Sequence, residues 1–201
     1  MSAPLLPEDE RRLVAGLIRR DERTFSELVR RFEGPVYAVA LRMLNRRDEA
    51  LDISQEVFVA IWRAGASFRA EARLSTWIHR IVINQCRNRL KHLSRRRDGS
   101  HDPLDEELSG GLGVPLSGEV PGPEANAQGN EAERFLRMAL ASLDPDHREV
   151  VILRELEGLE YDEIAAITGA KLGTVKSRLS RAREALESAY RAFVEGKRNS
   201  R

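Results

Sequence analysis

Residues 98–130 decide what the rest of the chain can fold into. This stretch holds 7 of the 14 glycines and 4 of the 8 prolines, and it has no basic and no aromatic residue. Its few apolar residues follow no period. Ordering such a segment costs backbone entropy that burial does not offset. A structureless connection of this length is also foreign to the inside of one compact domain. The expectation is a flexible acidic linker at 98–130 between two separate domains, 1–97 and 131–201. With 41% hydrophobic but only 5% aromatic residues, both cores are expected to be aliphatic and modest.

Both flanks read as all-α. Leu13, Val14, Leu17 and Ile18 form one apolar stripe, and Phe25, Leu28, Val29 and Phe32 form the next, with Asp21 as its cap. Gly34-Pro35 interrupts, as a kink rather than a stop, before Val36, Tyr37, Leu41 and Leu44 resume the spacing. Ile53, Val57 and Ile61 place a third helix at about Asp48 to Ala64. Trp77, Ile78, Ile81 and Val82 place a fourth at about Leu74 to Leu93. Beyond the linker, Phe135 and Leu140 mark one helix, and Asp144-Pro145 opens another that Gly158 closes. A short helix from Tyr161 to about Ile167 and a longer one from about Val175 complete the pattern. No strand-like alternation and no internal repeat is present.

The net charge of +1 conceals a strong asymmetry. Residues 1–97 hold 20 basic against 12 acidic side chains, 98–130 hold 7 acidic and none basic, and 171–201 hold 9 basic against 3 acidic. Two basic zones around an acidic middle fit two contacts with a polyanion, although solvated faces give the same totals. Cys86 is the single cysteine, so no intramolecular disulfide forms. The acidic start of the chain, with Pro4 and Pro7, is unlike a signal peptide. No apolar run approaches the roughly 20 residues of a membrane helix. A cytoplasmic protein without membrane insertion is expected.

The stretch YDEIAAITGAKLGTVKSRLS, at 161–180, reads as a helix-turn-helix. Ile164, Ala165 and Ile167 give the first helix a small apolar face, and Gly169 supplies a turn with positive φ. Thr174 is the expected cap of the second helix, which Val175, Leu179, Ala182 and Leu186 fasten to the domain. Lys176, Ser177, Ser180 and Arg181 then face outward near the end that a recognition helix pushes into the major groove. Such side chains suit base edges. Arg178 and Arg183 lie beside them and suit phosphates.

In the first flank, Arg80 to Arg97 contains seven basic residues and no acidic one, with Asn84 and Gln85 interleaved and Trp77 one turn earlier. This mixture suits a strand backbone and unstacked bases. Trp77 alone reads more readily as core than as a stacking platform. Asp52, Gln55, Glu56 and Val59 share one face of the third helix, a docking surface or simply a solvated one.

Three stretches together resemble a known family: DEALDISQEVFVAIWRA, FRAEARLSTWIHRIVINQCRN and LRELEGLEYDEIAAITGAKLGTVKSRLSRAREAL. They are similar, in that order, to the core-binding and promoter-melting parts of region 2 and to region 4 of extracytoplasmic-function (group IV) sigma-70-family factors. The resemblance covers both flanks and leaves out only the linker. It implies that Asp52, Gln55, Glu56 and Phe58 dock on the clamp helices of the largest subunit of core RNA polymerase. It further implies that Asn84 contacts the minus-ten element and that the loop Phe68, Arg69 to Arg73 captures a flipped base. Trp77, Arg80 and Arg87 belong to the same minus-ten surface. Thr174, Lys176, Ser177, Arg178, Ser180 and Arg181 fall at the minus-thirty-five interface. Ser180 and Lys176 depart from the bulky residue and the arginine that occur in the family, which bears on promoter sequence because lysine is a point charge and arginine a fork. The implied partners are core RNA polymerase, promoter DNA and an anti-sigma factor.

A plain duplex-binding regulator would explain 131–201 but would leave the Arg80–Arg97 run and the Asp52–Phe58 face without a task. An enzyme is disfavoured, because His79, His92, His101 and His147 lack metal-ligand spacing and no phosphate loop or nucleophile motif is present. No catalytic residue, metal or cofactor is expected.

Overall fold

The computed structural model describes residues 7–69, 72–97 and 127–199. The chain divides into two compact units, Met1–Val120 and Pro121–Arg201. Every regular element among the described residues is helical. Most of the expected linker, 98–126, lies outside the described residues. Its last residues do not behave as linker, because a helix already begins at Ala127.

The first unit contains α1 (Pro7–Ile18), α2 (Glu22–Leu44), α3 (Arg47–Ala64) and α4 (Leu74–Arg97). Its core joins Leu13 and Leu17 to Leu28, Val36, Val39 and Met43 of α2, Ile53, Val57 and Ile61 of α3, and Leu74, Ile78, Val82 and Ile83 of α4. Gly16 is required where α1 meets α2, since a Cβ there would collide with the Thr24 side chain. Asp21 caps α2 as expected, accepting from the Thr24 N–H at 2.7 Å. The Thr24 side chain, together with this N–H, holds its carboxyl below the usual range.

Gly34-Pro35 is no stop. α2 runs through it from Glu22 to Leu44 and ends at Asn45, whose φ of 52° makes a left-handed cap with its N–H on the Leu41 carbonyl. An interior proline removes one helical hydrogen bond. Here Phe32, Val36, Val39 and Ala40, all buried against the rest of the core, hold both halves in line. α1 also serves α4, because the Glu10 carboxylate accepts the Leu74 N–H at the start of that helix. Arg12 of α1 grips Glu27 of α2 with both guanidinium nitrogens, one at 2.6 Å.

The second unit contains α5 (Ala127–Ser142), α6 (Pro145–Val151), α7 (Tyr161–Thr168) and α8 (Leu172–Asn199), with a π-helical turn at Ile152–Leu156. Leu140, Val150, Ile152, Leu153, Ile164, Ile167, Val175, Leu179 and Ala182 form its core. Pro145 opens α6, and Gly158, at φ 72°, turns the chain toward α7. Arg148 is buried and turned inward. It donates to the carbonyls of Leu140 at 2.8 Å and of Ala141 and Leu143 at 2.9 Å, closing the C-terminal end of α5.

Candidate nucleic-acid interface

On α3, Asp52 and Gln55 are exposed and Glu56 is partly so. Glu56 is not free, since Arg89 of α4 donates to it at 2.6 Å. Phe58 needs correction. It is 0% exposed and packs in the core, so it shapes the helix from behind and has no surface to offer a partner. Sequence periodicity missed this because α3 lies between α2 and α4, which widens its buried face to include Ser54 and Phe58 beside Ile53, Val57 and Ile61.

α4 divides cleanly. Ile78, Val82, Ile83 and Cys86 are buried on one side. Arg73, Trp77, Arg80, Asn84 and Arg87 recur at spacings of three and four on the opposite side, where Arg73, Arg80 and Asn84 are exposed. Among the described residues no acidic side chain lies within this helix. Phe68 is a second correction. It does not project from a loop but is buried, its ring 4.8 Å from that of Trp77. Trp77 is therefore half core, half surface, with Phe68 as its floor. Arg69 and Arg73 remain exposed, whereas residues 70 and 71 of the expected capture loop lie outside the described residues. Burial pushes the Cys86 thiol up to about 12, which leaves it a protonated packing group.

The helix-turn-helix is formed by α7, the turn Gly169–Lys171 and α8. Gly169 has φ 71° and ends α7 with its N–H on the Ala165 carbonyl. The start of α7 carries a reciprocal cap between Glu160 and Glu163 that sequence reading did not single out. Thr174 is not the cap of α8. That helix starts at Leu172, and the Val175 N–H already reaches the Lys171 carbonyl at 3.0 Å. Thr174 sits inside the first turn, where its carbonyl accepts from the Ser177 hydroxyl at 3.0 Å.

Lys176, Ser177, Ser180 and Arg181 are exposed and lie away from buried Val175, Leu179 and Ala182. The Ser180 hydroxyl donates to Glu184 at 3.2 Å, and the Lys176 ammonium stands 6.0 Å from the Tyr161 ring centre. Arg181 has no ion-pair partner among the described residues. Arg178 and Arg183, expected to suit phosphates, are both engaged within the domain. Arg178 binds Asp146 of α6 and lies 4.0 Å from buried Glu149. Arg183 donates to Glu155 of the π-helical turn, at 2.9 Å from Nε. Both flank the buried stripe of α8 and are drawn sideways onto the domain. Among the described residues, no group of His, Cys, Asp and Glu is placed to hold a metal, and no helix is long and apolar enough to cross a membrane.

Comparison with known proteins agrees with this arrangement. Residues 28–96 match the family model Sigma-70 region 2, and residues 136–186 match Sigma-70, region 4. The chain is 34% identical to the RNA polymerase sigma-H factor of Pseudomonas aeruginosa over 94% of its own length and 98% of that protein. It is also 34% identical to the ECF RNA polymerase sigma-E factor of Escherichia coli K12, over 90% of its length and 94% of the relative's. Among solved structures, CnrH in complex with the cytosolic domain of CnrY matches with a TM-score of 0.64 at 26% identity, over 92% of this chain and 98% of that one. The sigma factor RpoE in complex with the anti-sigma factor NepR from Bartonella quintana matches with a TM-score of 0.64 at 26% identity, over 86% and 98%. The chain belongs to the extracytoplasmic-function group of the sigma-70 family, the RNA polymerase sigma factors of transcription initiation.

Proposed function

We propose that the first unit docks on core RNA polymerase through the Asp52 and Gln55 face of α3 and reads and opens minus-ten DNA through α4, while the second unit reads duplex minus-thirty-five DNA through α8. The division of α8 supports this reading most strongly. Its exposed polar side chains near the N-terminal end point away from the core, and the arginines on its flanks are occupied within the domain. A helix of this kind offers Arg181 and Lys176 to base edges while the domain fixes its angle. On α4, exposed Arg73, Arg80 and Asn84 beside the half-buried Trp77 ring suit a strand backbone and an unstacked base. The chemistry of RNA synthesis stays with the polymerase, and this chain contributes selection and melting. Tethering two DNA-reading units raises the effective concentration of the second contact once the first is made. An anti-sigma factor is a further proposed partner, as the structure of the Bartonella quintana relative was solved with one. The cytoplasm is the compartment in which all these partners meet.

The test is run-off transcription with purified core polymerase on a promoter selected by the protein. Initiation is expected only when both elements are present. Asp52→Arg is expected to lower core affinity about tenfold with the fold unchanged, since it reverses a mostly exposed charge. A chain that binds duplex DNA but never supports initiation by core polymerase would refute the proposal.

A further inference from the structure

Arg89 of α4 ties three carboxylates of α3 to one guanidinium. Its Nη1 donates to Glu49 at 2.5 Å, its Nη2 donates to Glu56 at 2.6 Å, and Asp52 lies 4.0 Å from Nη1. The three acids stand at positions i, i+3 and i+7 of one helix and therefore on one face. Their side-chain exposure rises across the set, from 15% at Glu49 through 37% at Glu56 to 65% at Asp52, while Arg89 is 22% exposed. The cluster thus begins close to the core and ends in solvent beside Gln55. Burial works against the charge on Arg89, but Glu49, Glu56 and Asp52 outweigh it and raise its pKa above the ordinary value.

We propose that Arg89 is a positioning residue for the polymerase-docking face. It holds Glu49 and Glu56 inward and fixes the rotation of α3 on α4, and it thereby selects Asp52 and Gln55 as the groups a partner meets. This rests on the docking reading of α3 given above. Arg89 lies on the side of α4 away from the Arg80–Asn84 stripe, so it reaches α3 and not the proposed DNA surface. Without it, three like charges within two turns repel one another, and Glu49 is a carboxylate almost out of water with its principal counter-ion gone. The planar fork is essential, because it engages two acids seven positions apart at once, whereas a lysine ammonium is a single point charge. The same contact joins the helix proposed to dock to the helix proposed to melt DNA, so a loose α3 also misplaces α4 on the polymerase.

The experiment measures affinity of the full-length chain for core polymerase alongside thermal stability. Arg89→Met is expected to weaken core binding about tenfold and to lower the melting midpoint. Adding Glu49→Gln removes the nearly buried carboxylate, left with only the exposed Arg46 at 3.7 Å, and is expected to restore most of the midpoint, while affinity stays about tenfold down because Glu56 and Asp52 are still unheld. Arg89→Lys is expected to fall between wild type and Arg89→Met, and it carries the test if the methionine variant does not fold. If affinity returns together with the midpoint in the double variant, or if Arg89→Lys binds like wild type, Arg89 serves stability alone and the proposal is wrong. If the wild-type chain does not bind core polymerase, the docking reading falls first and this one with it.

Discussion

Arg178 and Arg181 lie one turn apart on α8, carry the same charge and are expected to do opposite things when removed. Arg178 is paired with Asp146, which is 56% exposed, and lies 4.0 Å from Glu149, which is 1% exposed. A partly exposed pair alone contributes less than about 1 kcal/mol. Loss of a cation near a buried carboxylate and of the packed aliphatic stem brings the cost of Arg178→Ala to about 1–2 kcal/mol. For a unit of this size that lowers the melting midpoint by roughly 4–16 °C. Arg181 has no ion-pair partner among the described residues, so Arg181→Ala is expected to leave the midpoint in place. Its cost falls on DNA, about 1–3 kcal/mol at one base pair of the minus-thirty-five element. The assay is a pair of measurements on each variant: a thermal melt, and duplex affinity over a panel of single-base changes at several salt concentrations. A phosphate contact would betray itself by reducing the salt slope by about 1 with no base preference. If Arg178→Ala does that and melts like wild type, its pairing with α6 is not what places α8. If Arg181→Ala weakens every sequence equally, Arg181 does not read a base.

Arg148→Met removes a donor from three carbonyls at the end of α5, of which only that of Leu140 keeps a backbone partner, the Leu143 N–H, so the second unit is expected to lose about 2–4 kcal/mol, visible as an earlier transition in denaturant. Glu27 is held below its ordinary value of 4.5 first by its hydrogen bond from Arg12, so its stabilising effect is present above that pH and is lost as pH falls toward the lower folded value. Glu27→Gln is accordingly expected to flatten the decline of stability below about pH 4.5, and an unchanged acid melt would contradict the α1–α2 grip.

The helices were legible because each carries its own evidence: an apolar period, Asp21 before α2, Gly169 after α7. The errors arose where a residue's fate depends on a distant helix. Phe58 reads as part of a polar, outward stretch until α2 and α4 close on both sides of α3. Phe68 reads as a loop aromatic until Trp77, nine positions later, offers its ring. Pro35 reads as a kink rather than a stop, and buried neighbours on either side keep α2 whole. Thr174 was favoured by residue type as a cap, but the Lys171 carbonyl already starts α8 one turn earlier.

The same logic governs how the charge totals translate into contacts. A surplus of basic residues at 171–201 suggests a uniformly attractive helix, but pairing within the domain divides those residues into two kinds. Arg178 and Arg183 are engaged by Asp146 of α6 and Glu155 of the π-helical turn, whereas Arg181 has no ion-pair partner among the described residues. Those acids come from the net-acidic segment 131–170, which thereby neutralises part of the basic segment within the same unit. In the first unit Arg89 stands to Glu49 and Glu56 as Arg178 stands to Asp146. In both units, an arginine is paired within the domain, and exposed cations, Arg80 on α4 and Arg181 on α8, are the ones proposed to meet a polyanion. On that proposal, fixing the angle first would give the second set its selectivity, because a base-edge contact misplaced by even about 1 Å loses most of its discrimination.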